Sequence, residues 1–468
     1  MSRQTAVNEA EQTQPEEYRT TAGKNRITEG VIWKQLLLFF FPILLGTFFQ
    51  QLYNTADSII VGKYLGTRAL AAVGGSTELL IKLVLGFFVG ISSGAGVIIS
   101  QYYGARKPDG TRQAVSTSIL VAVGGGALFT LVGIAAAPWA LRAMGTPEEL
   151  IGQSLIYMRV YFTGMIPVLV YNMGAGIFRA AGNSRMPMYL LIICCLLNIA
   201  LDILFVPVLR LGVFGAALAT TLSQAVSALL VMAALIKTPA EYRLDLRQFH
   251  FSGKLLKSIL WVGIPVGLQS MMYNFANVLL QTNINELGTA TIAAWSVFGK
   301  IDGIFWMIQS SLGIAITTFV GQNYGAGKYE RVKKSVRVCL GLSLGITLVN
   351  SVFLIIFSRP LYCFFVDDSQ VIETGVFMMR FMVPSYITYI CIEILSGAIR
   401  GTGETVKPLI ITFAGICVFR IFWITAVLPH YKGLRAIILT YPTSWILTTT
   451  IFVVYYNKGK WRRQMDKL

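Results

Sequence analysis

The sequence predicts an all-α membrane protein: twelve transmembrane helices in two six-helix lobes related by a pseudo-two-fold axis. Composition, the spacing of the apolar runs and an internal repeat carry that prediction. Of 468 residues, 55% are hydrophobic and 13% charged, more apolar surface than a water-soluble fold can hide. The apolar runs are continuous over about 20 residues, which suits helices; a barrel would show alternating segments of roughly 10.

In chain order the spans are predicted near 31–62, 70–103, 113–140, 150–178, 186–208, 212–236, 256–286, 290–322, 334–358, 372–399, 408–428 and 434–456. Span 1 contains the apolar run from Leu36, span 3 the run Ala114–Leu141, span 5 Met186–Val208 and span 11 Leu409–Leu428. Each is long enough to cross a bilayer. Pro167, Pro265 and Pro384 mark places where spans 4, 7 and 10 can bend. The partition is then a polar N-terminal tail over 1–30, an N-lobe over 31–236, a linker over 237–255, a C-lobe over 256–456 and a basic tail over 457–468. The apolar stretch behind the tail is too long for a signal-peptide core, so no cleaved signal is expected.

The net charge of +17 could suggest nucleic acid if the basic residues shared one soluble face. They are sorted by loop instead. Most of the 39 Lys and Arg lie in the termini and the even-to-odd loops: Arg106-Lys107, Lys237 to Lys257, Lys328 to Arg337 and Lys458 to Lys467. The positive-inside rule then puts tail, linker and both termini in the cytoplasm. Nucleic acid is not an expected partner.

The repeat is readable directly. Gln101-Tyr102-Tyr103-Gly104-Ala105-Arg106-Lys107 matches Gln322-Asn323-Tyr324-Gly325-Ala326-Gly327-Lys328, and Gly176-Ile177-Phe178-Arg179-Ala180-Ala181-Gly182 matches Gly397-Ala398-Ile399-Arg400-Gly401-Thr402-Gly403, both at a separation of 221 residues. Tyr53-Asn54-Thr55-Ala56-Asp57 matches Tyr273-Asn274-Phe275-Ala276-Asn277 at nearly the same separation. Two halves in the same order imply parallel repeats about an axis along the membrane normal, and two such lobes can rock about a central cavity.

A charge in the hydrocarbon core costs at least about 2.5–3.5 kcal/mol on insertion scales, so each needs a partner or a task. Asn198 and Asp202, four apart on span 5, share one helix face, and Asn54 and Asp57 stand at i, i+3 on span 1. Desolvation penalises a carboxylate's charged form, so an acid without a fixed counter-charge can be neutral in one conformation and ionised in another. The same oxygens suit sodium, with amides and hydroxyls completing the shell. Proton and sodium stay open on these residues, with Asp57, Asn198 and Asp202 the sodium ligands in the second case.

The ordinary reading of Glu78 and Lys82 is an ion pair one turn apart. Lys300 and Asp302 are two apart and need separate partners. Aromatic and Met residues such as Tyr53, Tyr157, Tyr161, Tyr273, Trp295 and Trp306 could line a cavity for flat lipophilic cations. The six cysteines lie mostly in apolar runs and read as small hydrophobes, without metal-binding spacing. A Gly-x-Ser-x-Gly match at Gly90–Gly94 falls inside span 2, away from any strand-to-helix turn, and an enzyme is not expected.

These residues together resemble the multidrug and toxic compound extrusion (MATE) family, of the larger group that also holds lipid and oligosaccharide flippases. The carriers are the Tyr53–Asp57 segment, the paired ends of spans 2 and 8, and the paired loops 176–187 and 397–408. The resemblance covers nearly all of 40–456. It implies a V of two six-helix lobes, without cofactor, that exports organic cations or lipophilic drugs by antiport with H+ or Na+, working as a monomer.

In the prokaryotic DinF-like branch of that family, the N-lobe couples through positions matched here by Asp57, Asn198, Asp202, Tyr157 and Thr220, with Tyr161 competing for the place of Tyr157. Other branches use C-lobe acids. Here span 7 offers Tyr273 and Asn274, while span 10 keeps Glu393, so the N-lobe is the expected coupling site. Tyr53, Asn54, Tyr161, Tyr273, Asn274, Asn277, Lys300, Asp302 and Glu393 remain candidates for the cavity or a C-lobe polar site. The alternative reading is a flippase for a lipid-linked oligosaccharide, with Arg159, Arg380 and Arg420 meeting pyrophosphate.

Overall fold

A computed structural model describes residues 26–247, 250–431 and 433–459, with a short helix, Arg26–Glu29, ahead of span 1. All twelve expected spans are helical, and no strand occurs among the described residues. Spans 1 to 6 occupy Ile32–Gly74, Ser76–Gly104, Pro108–Ala143, Glu148–Ala180, Arg185–Val208 and Gly212–Lys237. Spans 7 to 12 occupy Gly253–Asn285, Thr289–Gly325, Tyr329–Ile356, Ser369–Gly401, Val406–Val427 and Leu434–Lys458. With no water in a bilayer to satisfy peptide groups, continuous helices are the form such apolar runs must take.

Four local features differ from the sequence expectation. Span 1 runs twelve residues past its expected end, turning at Gly66, whose φ of 86° suits a residue without Cβ. Span 4 bends where Pro167 allows it, but as a full break: Glu148–Thr163 and Met165–Ala180 meet at 51°. An additional short helix, Ser358–Cys363, follows span 9 and leaves Cys363 exposed, unlike Cys194, Cys195, Cys339 and Cys417, which are buried. The end of the polar N-terminal tail is docked rather than free, since Ile27 and Gly30 offer their carbonyls to Arg331. The earlier part of that tail lies outside the described residues, as does the C-terminal tail beyond 459.

Spans 5 and 11 share a further irregularity. Helical winding widens to the π form over Leu204–Val208 in span 5 and over Phe413–Val418 and Trp423–Val427 in span 11. Such turns expose backbone carbonyls and often stand beside functional side chains. Asp202 and Arg420 both flank them.

The lobes meet through spans 2, 7 and 8. A Cβ on Gly90 would fall 2.1 Å from the amide nitrogen of Gly267, and one on Gly94 would fall 2.5 Å from Gly263. The Gly90–Gly94 stretch is thus the crossing of span 2 over span 7, where only hydrogens fit. At the end of the bundle that carries both termini, the repeated motifs close on each other reciprocally. Gln101 donates to the carbonyl of Gly401 at 2.9 Å and Gln322 to that of Ala180 at 2.6 Å. Gly104 lies against the Gln322 carbonyl and Gly325 against that of Gln101, with 2.0 Å left for a Cβ in each case.

Candidate functional site

Two polar regions stand out, one inside the N-lobe and one between the lobes. The first is where spans 1, 4, 5 and 6 pack together. Asn198 and Asp202 project from one face of span 5 and are 1% and 0% exposed. Asp57 comes from span 1, half-buried, and lies close enough to Asp202 for their charges to interact. Tyr53 and Tyr157 are within electrostatic reach of both acids. Tyr157 and Tyr161 are buried side by side, with ring centroids 6.3 Å apart.

The decisive property of this region is what its polar atoms lack. Asp57 Oδ1, both oxygens of Asp202, and Oδ1 and Nδ2 of Asn198 are shielded from solvent and hydrogen-bond to no described residue. Neither acid pairs with Lys or Arg among the described residues. Buried polar groups are rarely left without partners, and buried carboxylates more rarely still. Oxygen donors of this kind suit a proton or a hard monovalent cation. The described residues contain no cluster of three His, Cys, Asp or Glu, so the donors this region offers a cation are the two carboxylates and the Asn198 amide oxygen. Thr220 is buried on span 6, where its hydroxyl donates to the Ala216 carbonyl at 3.2 Å. Asn54 is exposed and outside this group.

The second region is a cavity of about 520 Å³ between the lobes. Spans 2 and 4 contribute small residues with Asn172 and Arg179; spans 7, 8 and 10 contribute Tyr273, Asn274, Trp306, Gln309, Glu393 and Arg400. Asp57, Asn198 and Asp202 are not part of its wall. Glu393 accepts from the Tyr389 hydroxyl at 3.2 Å and pairs with Arg400 at 3.4 Å. Gln309 is held by Thr347 and Ser343, so it is a fixture of the C-lobe core.

The remaining C-lobe candidates scatter. Asp302 accepts from Trp306 Nε1 at 2.5 Å and from the Tyr386 hydroxyl, a carboxylate satisfied by neutral donors. Lys300 is exposed, 5.7 Å from the Phe365 ring, and apart from Asp302, as their spacing requires. Asn277 accepts from Arg420 Nη1 at 2.8 Å, and the guanidinium lies 4.4 Å over the Tyr441 ring. Glu78 and Lys82 form the expected pair, 2.5 Å apart. Asn172, Arg179 and Arg400 were not singled out as site residues by sequence reasoning. The signal was available, because the 221-residue separation sets Asn172 opposite Glu393 and Arg179 opposite Arg400.

A duplicated bundle with glutamine-clasped ends, an N-lobe acid cluster and an interlobe cavity meets its match in known proteins. The MatE family model covers residues 42–204 and 265–424, one match in each half. The chain belongs to the MatE family. Among relatives of this MatE protein, "Probable multidrug resistance protein YoeA" of Bacillus subtilis is 27% identical over 450 residues, covering 93% of this chain and 96% of the relative. "Probable multidrug resistance protein NorM" of Thermotoga maritima is 26% identical over 448 residues, with 92% and 94% covered.

Solved structures agree on the fold. One titled an outward-facing conformation of a multidrug resistance MATE family transporter of the MOP superfamily superposes with a TM-score of 0.86 at 24% identity, covering 95% of this chain and 98% of its own. A MOP superfamily transporter from Pyrococcus furiosus, whose title describes a binding pocket of reverse polarity, gives 0.86 at 25% identity, with 95% and 98% covered. This MatE protein is a multi-pass membrane transporter of the multidrug efflux class and not an enzyme.

Proposed function

We propose that this MatE protein is a secondary antiporter of the bacterial cytoplasmic membrane that exports amphipathic, cationic compounds in exchange for inward-moving protons or sodium ions. The carrying observation is the set of five shielded, unpartnered atoms on Asp57, Asn198 and Asp202. Asp57 and Asp202 take up and release the coupling cation, Asn198 and Thr220 shape its site, and Tyr157 walls it. One elementary charge moving inward gains about 2.3 kcal/mol per 100 mV, enough to raise a substrate gradient more than tenfold. Export alternates between an end closed by Gln101 and Gln322 and an opposite closure. The basic loops put that glutamine end in the cytoplasm, so the present arrangement is closed inward.

The flippase reading has less support. Arg159 and Arg380 are exposed and Arg420 is occupied by Asn277 and Tyr441, so none of the three faces the interlobe cavity; of the two arginines that do, Arg400 is paired with Glu393, which leaves Arg179 alone to meet a pyrophosphate.

The test is efflux of a fluorescent organic cation from proteoliposomes under separately imposed proton and sodium gradients. Asp202→Asn and Asp57→Asn should each abolish gradient-driven accumulation while exchange of dye against dye persists. Unchanged driven transport in both variants would remove the assigned coupling site. A response to one gradient alone would name the ion.

A further inference from the structure

The two halves of the interlobe cavity are built from equivalent positions but carry unequal charge. In the C-lobe half, Glu393 and Arg400 stand seven residues apart on span 10 and pair with each other at 3.4 Å. The repeat places Asn172 and Arg179 at the same two positions of span 4. The guanidinium has been kept and its carboxylate replaced by an amide. Asn172 donates its Nδ2 to the Val168 carbonyl at 2.8 Å, which turns its side chain back along its own helix. Arg179 is half-buried in the cavity wall, and its guanidinium, within electrostatic reach of the neutral Tyr171, makes no hydrogen bond or ion pair with any described residue. Its place at the end of span 4 could make it an ordinary positive-inside residue. That account leaves unexplained why it faces the closed cavity beside the Ala180 carbonyl held by Gln322.

From this we infer that Arg179 seats an acidic group of the transported compound, in the position that Glu393 fills for Arg400. The favoured substrates are zwitterionic amphiphiles with a carboxylate beside a flat lipophilic cation. The carboxylate meets Arg179 at the closed end, where a guanidinium offers two parallel donors. The cationic ring system meets the aromatic wall of Trp306, Tyr389 and Tyr273, where cation–π attraction needs no fixed carboxylate. The inference rests on the export reading and narrows its substrate class.

A matched pair of dyes separates the two. Rhodamine B carries a cationic xanthene and a free carboxylate; its ethyl ester keeps the xanthene and lacks the acid. In proteoliposomes, the wild type should transport rhodamine B with a KM about tenfold below that of the ester. Arg179→Gln should remove that preference and leave ester transport within about twofold, while Arg179→Lys keeps part of it. Asn172→Glu supplies an internal carboxylate at the Glu393 position and should impose the same acid-selective loss with the arginine intact. Equal losses for both dyes in Arg179→Gln, or no preference in the wild type, would overturn the assignment while leaving export standing. If the wild type moves neither dye under any gradient, export itself fails; the assignment is then decided by equilibrium dialysis, standing if Arg179→Gln weakens rhodamine B binding alone and falling if it does not.

Discussion

The interiors of the two lobes start from one repeated sequence and end with opposite electrostatics. In the N-lobe, Asp57 and Asp202 face each other's neighbourhood with no cation from the protein. In the C-lobe, the repeat matches Asp57 to Asn277 and Thr220 to Tyr441, and Arg420 stands one place from the residue opposite Asn198. There the guanidinium is bonded to Asn277 and stacked on Tyr441. At these matched positions one lobe is thus lined by acceptors that meet no protein cation among the described residues, and its twin carries a fixed one. The repeat therefore carries different charges at matched positions, while the acids the C-lobe keeps lie elsewhere and have partners: Asp302 accepts from Trp306 and Tyr386, and Glu393 pairs with Arg400.

The largest expected effect follows from removing that difference at its N-lobe end. Asp202→Asn, isosteric and neutral, should reduce gradient-driven transport by about a hundredfold or more, since the proposed coupling site then keeps only one of its two carboxylates. Transport at the wild-type rate would show that the two lobes do not differ in coupling.

A comparably severe but mechanically distinct loss is expected where the lobes are alike. Gly104→Val and Gly325→Val each push a branched side chain into a carbonyl that leaves 2.0 Å for a Cβ. Overpacking of this kind costs about 1–3 kcal/mol in a closed interface. The closed end should be disfavoured and cycling slowed about tenfold or more, with equal losses for the two variants because the contact is reciprocal. Unequal losses would show that the clasp is less symmetric in action than in geometry.

The C-lobe arginine gives a stability test. Asn277→Ala leaves a guanidinium that is 1% exposed without the one acceptor it has among the described residues, a loss of about 1–3 kcal/mol. Arg420→Met removes the charge together with its need for a partner, so its cost should be smaller. Thermal unfolding in detergent should therefore rank Asn277→Ala below Arg420→Met, and transport should follow stability in both. A selective loss of coupling in Arg420→Met would mean that the fixed cation takes part in exchange.

How much of this was legible beforehand follows from which physics each feature uses. Hydropathy is local, so all twelve spans were readable, and the repeat gave the two lobes. The break after Thr163 was signalled by Pro167, which has no amide proton to give the Thr163 carbonyl four residues back, whereas Gly66 reads as one glycine among 44 and its turn depends on neighbours the sequence does not name. Asp57, Asn198 and Asp202 were legible because charge in an apolar run is costly wherever it sits. Asn54 was grouped with Asp57 by helical spacing, yet its side chain is exposed; spacing fixes a face and not what the face meets. Arg179 went unassigned because a basic residue at a helix end is ordinary, and only the pairing of its twin with Glu393 makes its solitude visible.

The smallest effect belongs to the pair the sequence settled most simply. Glu78 and Lys82 satisfy each other at i, i+4, with side chains 49% and 62% exposed. Such pairs contribute about 0.3–0.5 kcal/mol, and a carboxylate already holding a protein cation has little need for a mobile one. Glu78→Gln should therefore leave driven transport within about twofold of the wild type. It removes a negative charge from the N-lobe just as Asp57→Asn does. If it uncoupled transport to a similar degree, total charge in that lobe would be the controlling quantity, and the absence of a partner at Asp57 and Asp202 would lose its meaning.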